Sequence, residues 1–377
     1  MIRQNIYLVI TPFFPSNESF VGSYVYDQIK EIKHQSNFTI EIVKVVSYFS
    51  SESDYEFNGF KVKIFKTFDF PYFIFPGLFN SCNKRRFYKF LQKKNIINVS
   101  FSHSHVSYPA AYLVEDLACK KIVQHHGLDV LQLLNGRSHI IKRFQKTYLI
   151  KRTISHLNKS DLNIGVSELV LKQLRKYPTY SPKEELVLYN GVDTSKFYPV
   201  EVEKNDVFTI GCVANFWEIK DQITLIKAVE RIFLKGEKIL LKLIGSGHKL
   251  DECCNYVKEH NLDSIIGFES EKEHSALNIF YNEIDLFVLP SYYEALGCVY
   301  LESWATNTPF IAVRNQGISE LIPDDMKDKF LVSKSDELNL SKRILDFKNN
   351  TVLFPFDEKY NIKNTISNFL KNQVFDE

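Results

Sequence analysis

Residues 286–313 read LFVLPSYYEALGCVYLESWATNTPFIAV, and their pattern of apolar and turn residues predicts a strand, a loop, a helix and a second strand. The first apolar run stops at Pro290, as expected for a buried parallel strand that ends in a loop. We predict a helix over Cys298–Thr306 that ends at Asn307, because asparagine tolerates the left-handed backbone of a helix end. Phe310–Val313 is the second strand.

Two glutamates lie in this unit, one before the helix and one inside it. Ligands of parallel sheets bind beyond the carboxyl ends of the strands, and the first helix turn offers N–H groups and partial positive charge to a phosphate. Gly297 lets a phosphate approach closely. Glu302 follows Glu294 by about 12 Å along a helix axis, which suits the ribose and the sugar of one sugar nucleotide. The same spacing also fits a solvated loop charge and a surface helix charge, so both interpretations stay open.

The stretch resembles the E-x7-E signature of the retaining glycosyltransferase family 4, including the Pro-Ser pair, both glutamates, the glycine and the later proline. Asn307 stands where the family usually has glycine. The resemblance implies the GT-B fold: two Rossmann-like α/β domains facing a central cleft, with a C-terminal helix crossing back to the first domain. It implies that Glu294 is catalytic and that Glu302 binds the donor. The backbone expected to bind the donor diphosphate is that of Leu296, Gly297, Cys298 and Val299.

Four further positions lie where the family contacts its donor. Lys220 aligns with a lysine that contacts the donor diphosphate and stabilises the leaving group, whereas Asn215 stands where arginine is frequent. Gly245 opens a G-S-G turn that the family uses beside the base and the diphosphate. Gly22 is a single glycine in a strand-to-helix turn that is glycine-rich in the family. A lysine at a helix start, a lone G-x-G and a glycine before a helix are also common structural features.

Histidines follow two predicted strands in the first half of the chain. His103 and His105 form a His-x-His strand end, and His126, Gly127 and Asp129 match the family's His-Gly-x-Asp motif. The resemblance assigns His126 to catalysis and His103, His105 and Asp129 to the acceptor side. For His103 and His105, a purely structural role as buried histidines is the alternative. No complete zinc ligand set accompanies them, and the resemblance implies no metal and no cofactor besides the sugar nucleotide.

The composition is that of a globular protein large enough for two domains. The chain has 377 residues, of which 45% are hydrophobic and 24% are charged. Its six cysteines contain no C-x-x-C pair, so neither a zinc site nor a disulfide framework is indicated and a reducing cytoplasm fits best. No apolar window reaches the length of a membrane-spanning helix.

A polar run at 200–206, VEVEKND, is the best boundary between domains. We therefore predict an acceptor-side Rossmann-like domain over 1–199 and a nucleotide-sugar-binding domain over 200–355. An amphipathic helix within 356–377 is predicted to pack back on the first domain.

Charge is divided unequally along the chain. Residues 1–200 carry a net charge of +11 and the remainder −9. The runs 83–94 and 135–160 contain basic but no acidic residues, and 68–79 is dense in aromatic residues. These features predict peripheral contact with an anionic membrane at its cytoplasmic face. A merely solvated basic face is the alternative, and no motif accompanies the charge that would favour nucleic acid.

Together these features predict transfer of a sugar, with retention, from a UDP- or GDP-linked donor to a hydroxyl of a lipid-linked or polysaccharide acceptor in surface-glycan synthesis. Two alternatives remain at this stage. The same fold serves sugar-nucleotide epimerases, although the E-x7-E match disfavours that activity. A non-catalytic partner subunit is the other, since Asn215 and the single Gly22 depart from the family pattern.

Overall fold

The structure is a computed structural model that describes residues 5–68, 79–127 and 150–376. The chain divides into two compact units. The first comprises Met1–Asn190 and Lys363–Glu377, and the second comprises Gly191–Ile362. The division between the units thus precedes the polar run at 200–206, and the chain returns to the first unit after Ile362.

The sheet of the first unit is parallel except at one edge. Among the described residues its strands are β1 Ile6–Thr11, β2 Thr39–Ser47, β3 Tyr55–Phe57, β4 Phe60–Thr67, β5 Val99–Ser104, β6 Lys120–His125, β7 Leu162–Gly165 and β8 Glu185–Val187. Their order across the sheet is β3-β4-β2-β1-β5-β6-β7-β8. The edge pair β3 and β4 is antiparallel, because a short hairpin turn rather than a crossover helix connects these two strands.

Helices pack on this sheet at Ser23–Gln35, Asn80–Lys93 and Glu168–Leu174, and residues 150–157 are also helical. Strand β1 is buried along its whole length, as expected for a central strand covered on both faces. On one face its side chains join a core with Phe87 and Leu91 of the helix Asn80–Lys93. That helix is therefore fixed to the sheet by its apolar side, and its basic side chains lie on the remaining faces.

The C-terminal segment packs within the first unit. The helix Ile362–Phe369 is followed by Phe375, whose ring centroid lies 5.1 Å from those of Phe369 and Phe101. Phe375 also stacks on Tyr7 of β1 at 6.4 Å. The predicted return of the C-terminal helix to the first half of the chain is confirmed.

The second unit contains an entirely parallel sheet. Its strands in the described residues are β9 Thr209–Val213, β10 Leu240–Ile244, β11 Ile266–Glu269, β12 Leu286–Val288, β13 Phe310–Val313 and β14 Leu331–Val332. They are ordered β11-β10-β9-β12-β13-β14, which is the order of a dinucleotide-binding Rossmann sheet. The strand order reverses between β9 and β12, and ligands bind such sheets beyond the carboxyl ends of the strands at that point.

Helices of the second unit lie at Gln222–Phe233, Leu250–Glu259, His274–Glu283, Cys298–Ala305, Lys327–Phe330 and Glu337–Asn349. The stretch 286–313 forms the predicted strand, helix and strand, and β13 has the predicted bounds. Asn307 has the left-handed backbone expected of it, with φ 58°. After β13 the chain forms a 3₁₀ turn, Gly317–Glu320.

Candidate active site

Lys220 and Glu294 meet at the point where the strand order of the second sheet reverses. Lys220 ends a short turn, Glu218–Lys220, after β9, and Glu294 lies in the loop after the neighbouring strand β12. The Lys220 ammonium lies 2.5 Å from the Glu294 carboxylate. Their side chains are only 22% and 11% exposed, so solvent screens this ion pair less than a surface pair.

Hydrogen bonds join the two loops that carry this ion pair. The Ser291 hydroxyl donates to the carbonyl of Ile219 at 2.9 Å, and the Tyr292 N–H donates to the same carbonyl at 3.1 Å. The relative position of Lys220 and Glu294 is therefore set by backbone contacts next to each residue, and it does not depend on the ion pair alone.

Gln316, just after β13, holds the backbone of Glu294 from the other side. The Glu294 N–H donates to Gln316 Oε1 at 2.7 Å, and Gln316 Nε2 donates to the carbonyl of Tyr292 at 3.0 Å. The Gly317 N–H donates to the carbonyl of Glu294 at 3.2 Å. The carboxylate thus projects from a loop whose peptide groups are fixed on both sides.

The helix Cys298–Ala305 begins directly after this loop. Its first residue is preceded by Gly297, whose φ is 85°, a conformation that favours glycine. A side chain at Gly297 would meet the Tyr300 ring at 2.7 Å. Leu296 is buried, whereas Cys298 and Val299 are partly exposed. Gly297 has no side chain to cap the helix, which leaves its positive end suited to an anion.

Glu302 is not the surface helix charge that its spacing alone allowed. It is 9% exposed, and the hydroxyl of Tyr281 donates to Glu302 Oε2 at 2.8 Å. Burial and then the charge of Glu302 raise the pKa of Tyr281 well above its usual range, so Tyr281 remains a hydrogen-bond donor. The hydrogen bond fixes one carboxylate oxygen of Glu302.

The turn containing Gly245 packs against the loop after β9. Gly245 has φ 147°, and a Cβ there would lie 2.1 Å from the carbonyl oxygen of Ala214. The Phe216 N–H donates to the carbonyl of Ser246 at 2.7 Å. Asn215 is exposed, and its carbonyl accepts a hydrogen bond from Gln222 Nε2 at 3.0 Å. Gly245, Asn215 and Lys220 therefore all lie in loops after two adjacent strands.

A line of histidines occupies the corresponding edge of the first sheet. His103 and His105 are fully buried at the end of β5, and their rings stack with centroids 4.2 Å apart. His126, after the neighbouring strand β6, places Nε2 3.1 Å from His105 Nδ1. At the inner end, His103 Nδ1 lies 2.7 Å from the Tyr7 hydroxyl. Both are hydrogen-bond distances, and which atom donates in each contact depends on the histidine tautomers.

Burial determines the charge of the inner histidines. Burial, and then the nearby His126 ring, lower the pKa of His103 to about 3. Burial and the two neighbouring imidazoles hold the pKa of His105 well below its usual range. His103 and His105 are therefore neutral at physiological pH, and they can orient His126 but not neutralise a phosphate.

The surroundings of His126 include the helix that follows β1. The Tyr24 and His126 rings lie 4.7 Å apart, and Tyr24 belongs to the helix Ser23–Gln35, which Gly22 precedes with φ 92°. The structure thus brings together the segments of Gly22, His105 and His126. Asp129, the remaining predicted residue of this group, lies outside the described residues.

Two family models match this chain. The model described as "Glycosyltransferase Family 4" matches residues 21–196, and the model "Glycosyl transferases group 1" matches residues 194–365. The chain belongs to the family 4 glycosyltransferases. It is therefore a glycosyltransferase.

Two relatives and one solved structure illustrate the likeness to other glycosyltransferases. An uncharacterized glycosyltransferase of Methanocaldococcus jannaschii is 28% identical over 267 residues, 69% of each protein. The O-antigen chain mannosyltransferase RfbU of Salmonella typhimurium is 25% identical over 271 residues, 67% of this chain and 73% of RfbU. Sucrose-phosphate synthase from Thermosynechococcus elongatus superposes with a TM-score of 0.73 over 98% of this chain and 96% of that one, at 18% identity. The GT-B fold is confirmed.

Sequence reasoning missed two side chains next to the predicted donor-side residues of this family 4 glycosyltransferase. Gln316 and Tyr281 each contact a predicted site residue, but neither belongs to the E-x7-E stretch. Gln316 lies where polar residues after a parallel strand point toward a ligand edge, and that rule could have identified it. Tyr281 lies inside an amphipathic helix, where nothing in the sequence distinguishes it from a core residue.

Proposed function

We propose that the protein transfers a sugar from a UDP- or GDP-linked donor to a hydroxyl of a lipid-linked or polysaccharide acceptor, with retention of anomeric configuration, during synthesis of a surface glycan. The observation that carries this proposal is the Lys220–Glu294 pair, which lies beside the start of the helix Cys298–Ala305 at the ligand edge of a Rossmann sheet. The relation to RfbU, named for its action on the O-antigen chain, supports the acceptor class.

In this proposal the second unit stabilises the departing diphosphate. Charge develops on the diphosphate as the bond to the sugar lengthens, so the Lys220 ammonium and the N–H groups at the helix start become more effective in the transition state. Glu294 accepts hydrogen bonds from the sugar hydroxyls and stabilises positive charge on the ring. Glu302, held by Tyr281 at 2.8 Å, accepts hydrogen bonds from the ribose hydroxyls.

The first unit supplies the acceptor side. His126 hydrogen-bonds to the transferred sugar or the acceptor, and the neutral His105, 3.1 Å away, sets its orientation. An oxygen of the departing phosphate accepts the proton of the attacking hydroxyl. The hydroxyl attacks on the face of the sugar that the phosphate leaves, which gives retention. The reaction needs no metal, because the lysine and the helix start provide the charge stabilisation.

The test is product formation by the purified full-length chain with UDP- and GDP-sugars, in the presence and absence of a lipid-linked saccharide. We expect release of nucleoside diphosphate to require the acceptor, to be unaffected by EDTA, and to yield the donor's anomeric configuration by NMR. An altered sugar nucleotide formed without acceptor would instead identify an epimerase. Donor binding without any turnover would identify a non-catalytic subunit.

The acceptor class also implies a place in the cell. We propose that the enzyme acts in the cytoplasm and contacts the inner face of an anionic membrane through its basic first unit. Among the described residues, no helix combines the length and apolar character needed to cross a membrane, so contact would be peripheral. The proposed attraction to the membrane is electrostatic, so added salt should weaken it.

A further inference from the structure

We infer that a groove beside the basic helix Asn80–Lys93 binds the phosphate of an anionic phospholipid headgroup, an inference that rests on the membrane contact proposed above. The groove has a volume of about 910 Å³ and is lined by this helix, by the end of β4 and by the loop after β2. It lies near the β3–β4 edge of the first sheet.

Cations outnumber carboxylates in this groove. Glu52 and Asp54 are its acidic residues, and both are already paired: Glu52 with Lys44 at 2.6 Å, and Asp54 with Lys94. The other cations have no carboxylate partner within the described part of the chain; they are Lys66, Arg86, Lys89 and Lys93. Lys66 donates a hydrogen bond to the Ser50 carbonyl at 2.6 Å. Positive charge that no carboxylate of the described residues neutralises therefore remains in the groove.

Arg86, Lys89 and Lys93 lie on one face of the basic helix, because their spacing of three and four residues repeats the helical turn. Lys89 and Lys93 are exposed. Neither makes a contact that the fold requires within the described residues. Their charges are available to a ligand.

Arg86 is held rigidly at the end of this face. Its guanidinium lies 4.6 Å from the centre of the Phe68 ring, and Phe68 stacks on Tyr48 with centroids 3.9 Å apart. Asn83 accepts a hydrogen bond from the Phe68 N–H at 2.9 Å and one from Arg86 Nη1 at 3.3 Å. A guanidinium fixed in this way loses little conformational freedom when it binds phosphate.

Aromatic side chains at the rim favour a lipid surface over a soluble phosphate. Tyr48 is 44% exposed and its neighbour Phe49 is 77% exposed. Aromatic rings next to cations are typical of the headgroup level of a membrane.

Lys84 belongs to the acid-free run 83–94, but carboxylates from another part of the chain already pair with it. Lys84 is only 17% exposed and pairs with Asp116 at 2.6 Å and Glu115 at 3.3 Å. Replacing Lys84 would therefore disturb the fold, so it is unsuitable for a test of membrane contact. Lys142 and Arg143 of the second basic run lie outside the described residues.

The experiment is flotation of the full-length chain with phosphatidylglycerol-containing vesicles and with pure phosphatidylcholine vesicles. We expect salt-sensitive binding to the anionic vesicles only. Each cation at an anionic surface changes the partition coefficient about fivefold, so the double variant Lys89→Gln/Lys93→Gln should bind roughly 25-fold more weakly. Phe49→Ser should weaken binding at high salt as well, because its contribution is not electrostatic.

The matched control is Lys172→Gln/Lys176→Gln. It removes the same charge from exposed positions at and just beyond the helix Glu168–Leu174, which packs by β7 and β8 at the opposite edge of the sheet. We expect this control to bind vesicles nearly as well as the wild type. Equal losses of vesicle binding in both double variants would overturn the assignment of the groove, because exposed positive charge would then act wherever it lies on the surface.

Further measurements distinguish a lipid headgroup from other ligands, and distinguish failure of this inference from failure of the proposed function. Tight binding of glycerol 3-phosphate or of a single-stranded oligonucleotide, without vesicle binding, would overturn the lipid assignment. The groove variants should retain sugar transfer to an acceptor in detergent. A wild-type chain that transfers sugar but does not bind vesicles would overturn this inference while the transferase activity stands.

Discussion

The ammonium of Lys220 lies 2.5 Å from the carboxylate of Glu294, so the two side chains proposed to act on opposite sides of the reacting bond are paired with each other. A donor diphosphate must therefore compete with Glu294 for Lys220. In the proposed mechanism, the sugar hydroxyls of a complete donor would donate hydrogen bonds to Glu294 and compensate it for the lost ion pair. A nucleoside diphosphate without sugar offers no such compensation.

This exchange predicts opposite effects of Glu294→Gln on binding and turnover. Turnover should fall about 100 to 1000-fold, the usual loss of one preorganised electrostatic group. Affinity for the free nucleoside diphosphate should stay the same or increase, because Lys220 is released from its partner and a nearby negative charge is gone. Steady-state kinetics and calorimetric binding measure the two effects, and wild-type turnover in this variant would remove Glu294 from the mechanism.

Lys220→Gln should weaken binding of the nucleoside diphosphate, unlike Glu294→Gln. Loss of a hydrogen bond to a charged group costs about 1.5 to 3 kcal/mol, so affinity for the nucleoside diphosphate should fall at least about tenfold. The control is Lys235→Gln, an exposed lysine just beyond the far end of the helix Gln222–Phe233. If both variants bind the nucleotide equally well, Lys220 does not contact the diphosphate.

Tyr281→Phe should weaken nucleotide binding through Glu302. The hydroxyl of Tyr281 fixes Glu302 Oε2 at 2.8 Å, and without it the carboxylate should lose the orientation needed for the proposed ribose contact. We expect a rise in KM with a smaller change in kcat, because a ribose contact exists in the ground state and the transition state alike. Glu302→Ala should show the same pattern with a larger magnitude.

The control for Tyr281→Phe is Tyr300→Phe. Tyr300 is equally buried, and its hydroxyl donates to the carbonyl of Leu289 at 2.8 Å, so it loses the same kind of group without touching Glu302. Combining Tyr281→Phe with Glu302→Ala should add little to Glu302→Ala alone, since the tyrosine acts through the glutamate. Full additivity would contradict that route.

Local pattern explains what could be predicted from the sequence. The bounds of β13 and the left-handed Asn307 follow from apolar runs and turn residues within a few positions of each other. The E-x7-E residues likewise lie in one short stretch. Where neighbours along the chain determine the structure, periodicity and turn chemistry are sufficient.

Long-range contacts explain what was missed. Tyr281 and Glu302 are 21 residues apart in the sequence, and Gln316 and Glu294 are 22 apart. No local sequence pattern links residues at such separations. The same limit applies to charge. Lys84 belongs to an acid-free run, yet it is paired with Glu115 and Asp116 from a distant segment, so a count of basic residues overstates the charge available to a membrane.

Buried neutral histidines predict that mild acid destabilises the protein. An unfolded histidine takes up a proton near its ordinary pKa of 6.5, whereas folded His103 does so only near pH 3. Between those values the unfolded state binds more protons, so stability rises with pH and is lost progressively as pH falls below about 6.5. The slope should approach about 1.4 kcal/mol per pH unit for each such histidine.

Urea unfolding between neutral and mildly acidic pH measures this slope. His103→Gln should flatten it, because glutamine has no proton to gain, even if the variant is less stable at neutral pH. His248→Gln is the control, since His248 is exposed. An unchanged slope in His103→Gln would mean that other groups cause the acid sensitivity.

Gly317→Ala tests whether the hydrogen bonds that Gln316 and Gly317 make to the backbone of Glu294 matter for donor binding. A Cβ at this position would lie 1.7 Å from the carbonyl oxygen of Ala295, so the loop that carries Glu294 must move. Overpacking of this kind costs about 1 to 3 kcal/mol of unfolding free energy, and affinity for the donor should fall with it. Gly267→Ala, in β11, is the control, because its Cβ would meet nothing within 4 Å. Donor affinity that is unchanged in a destabilised Gly317→Ala variant would show that the position of the loop does not govern binding.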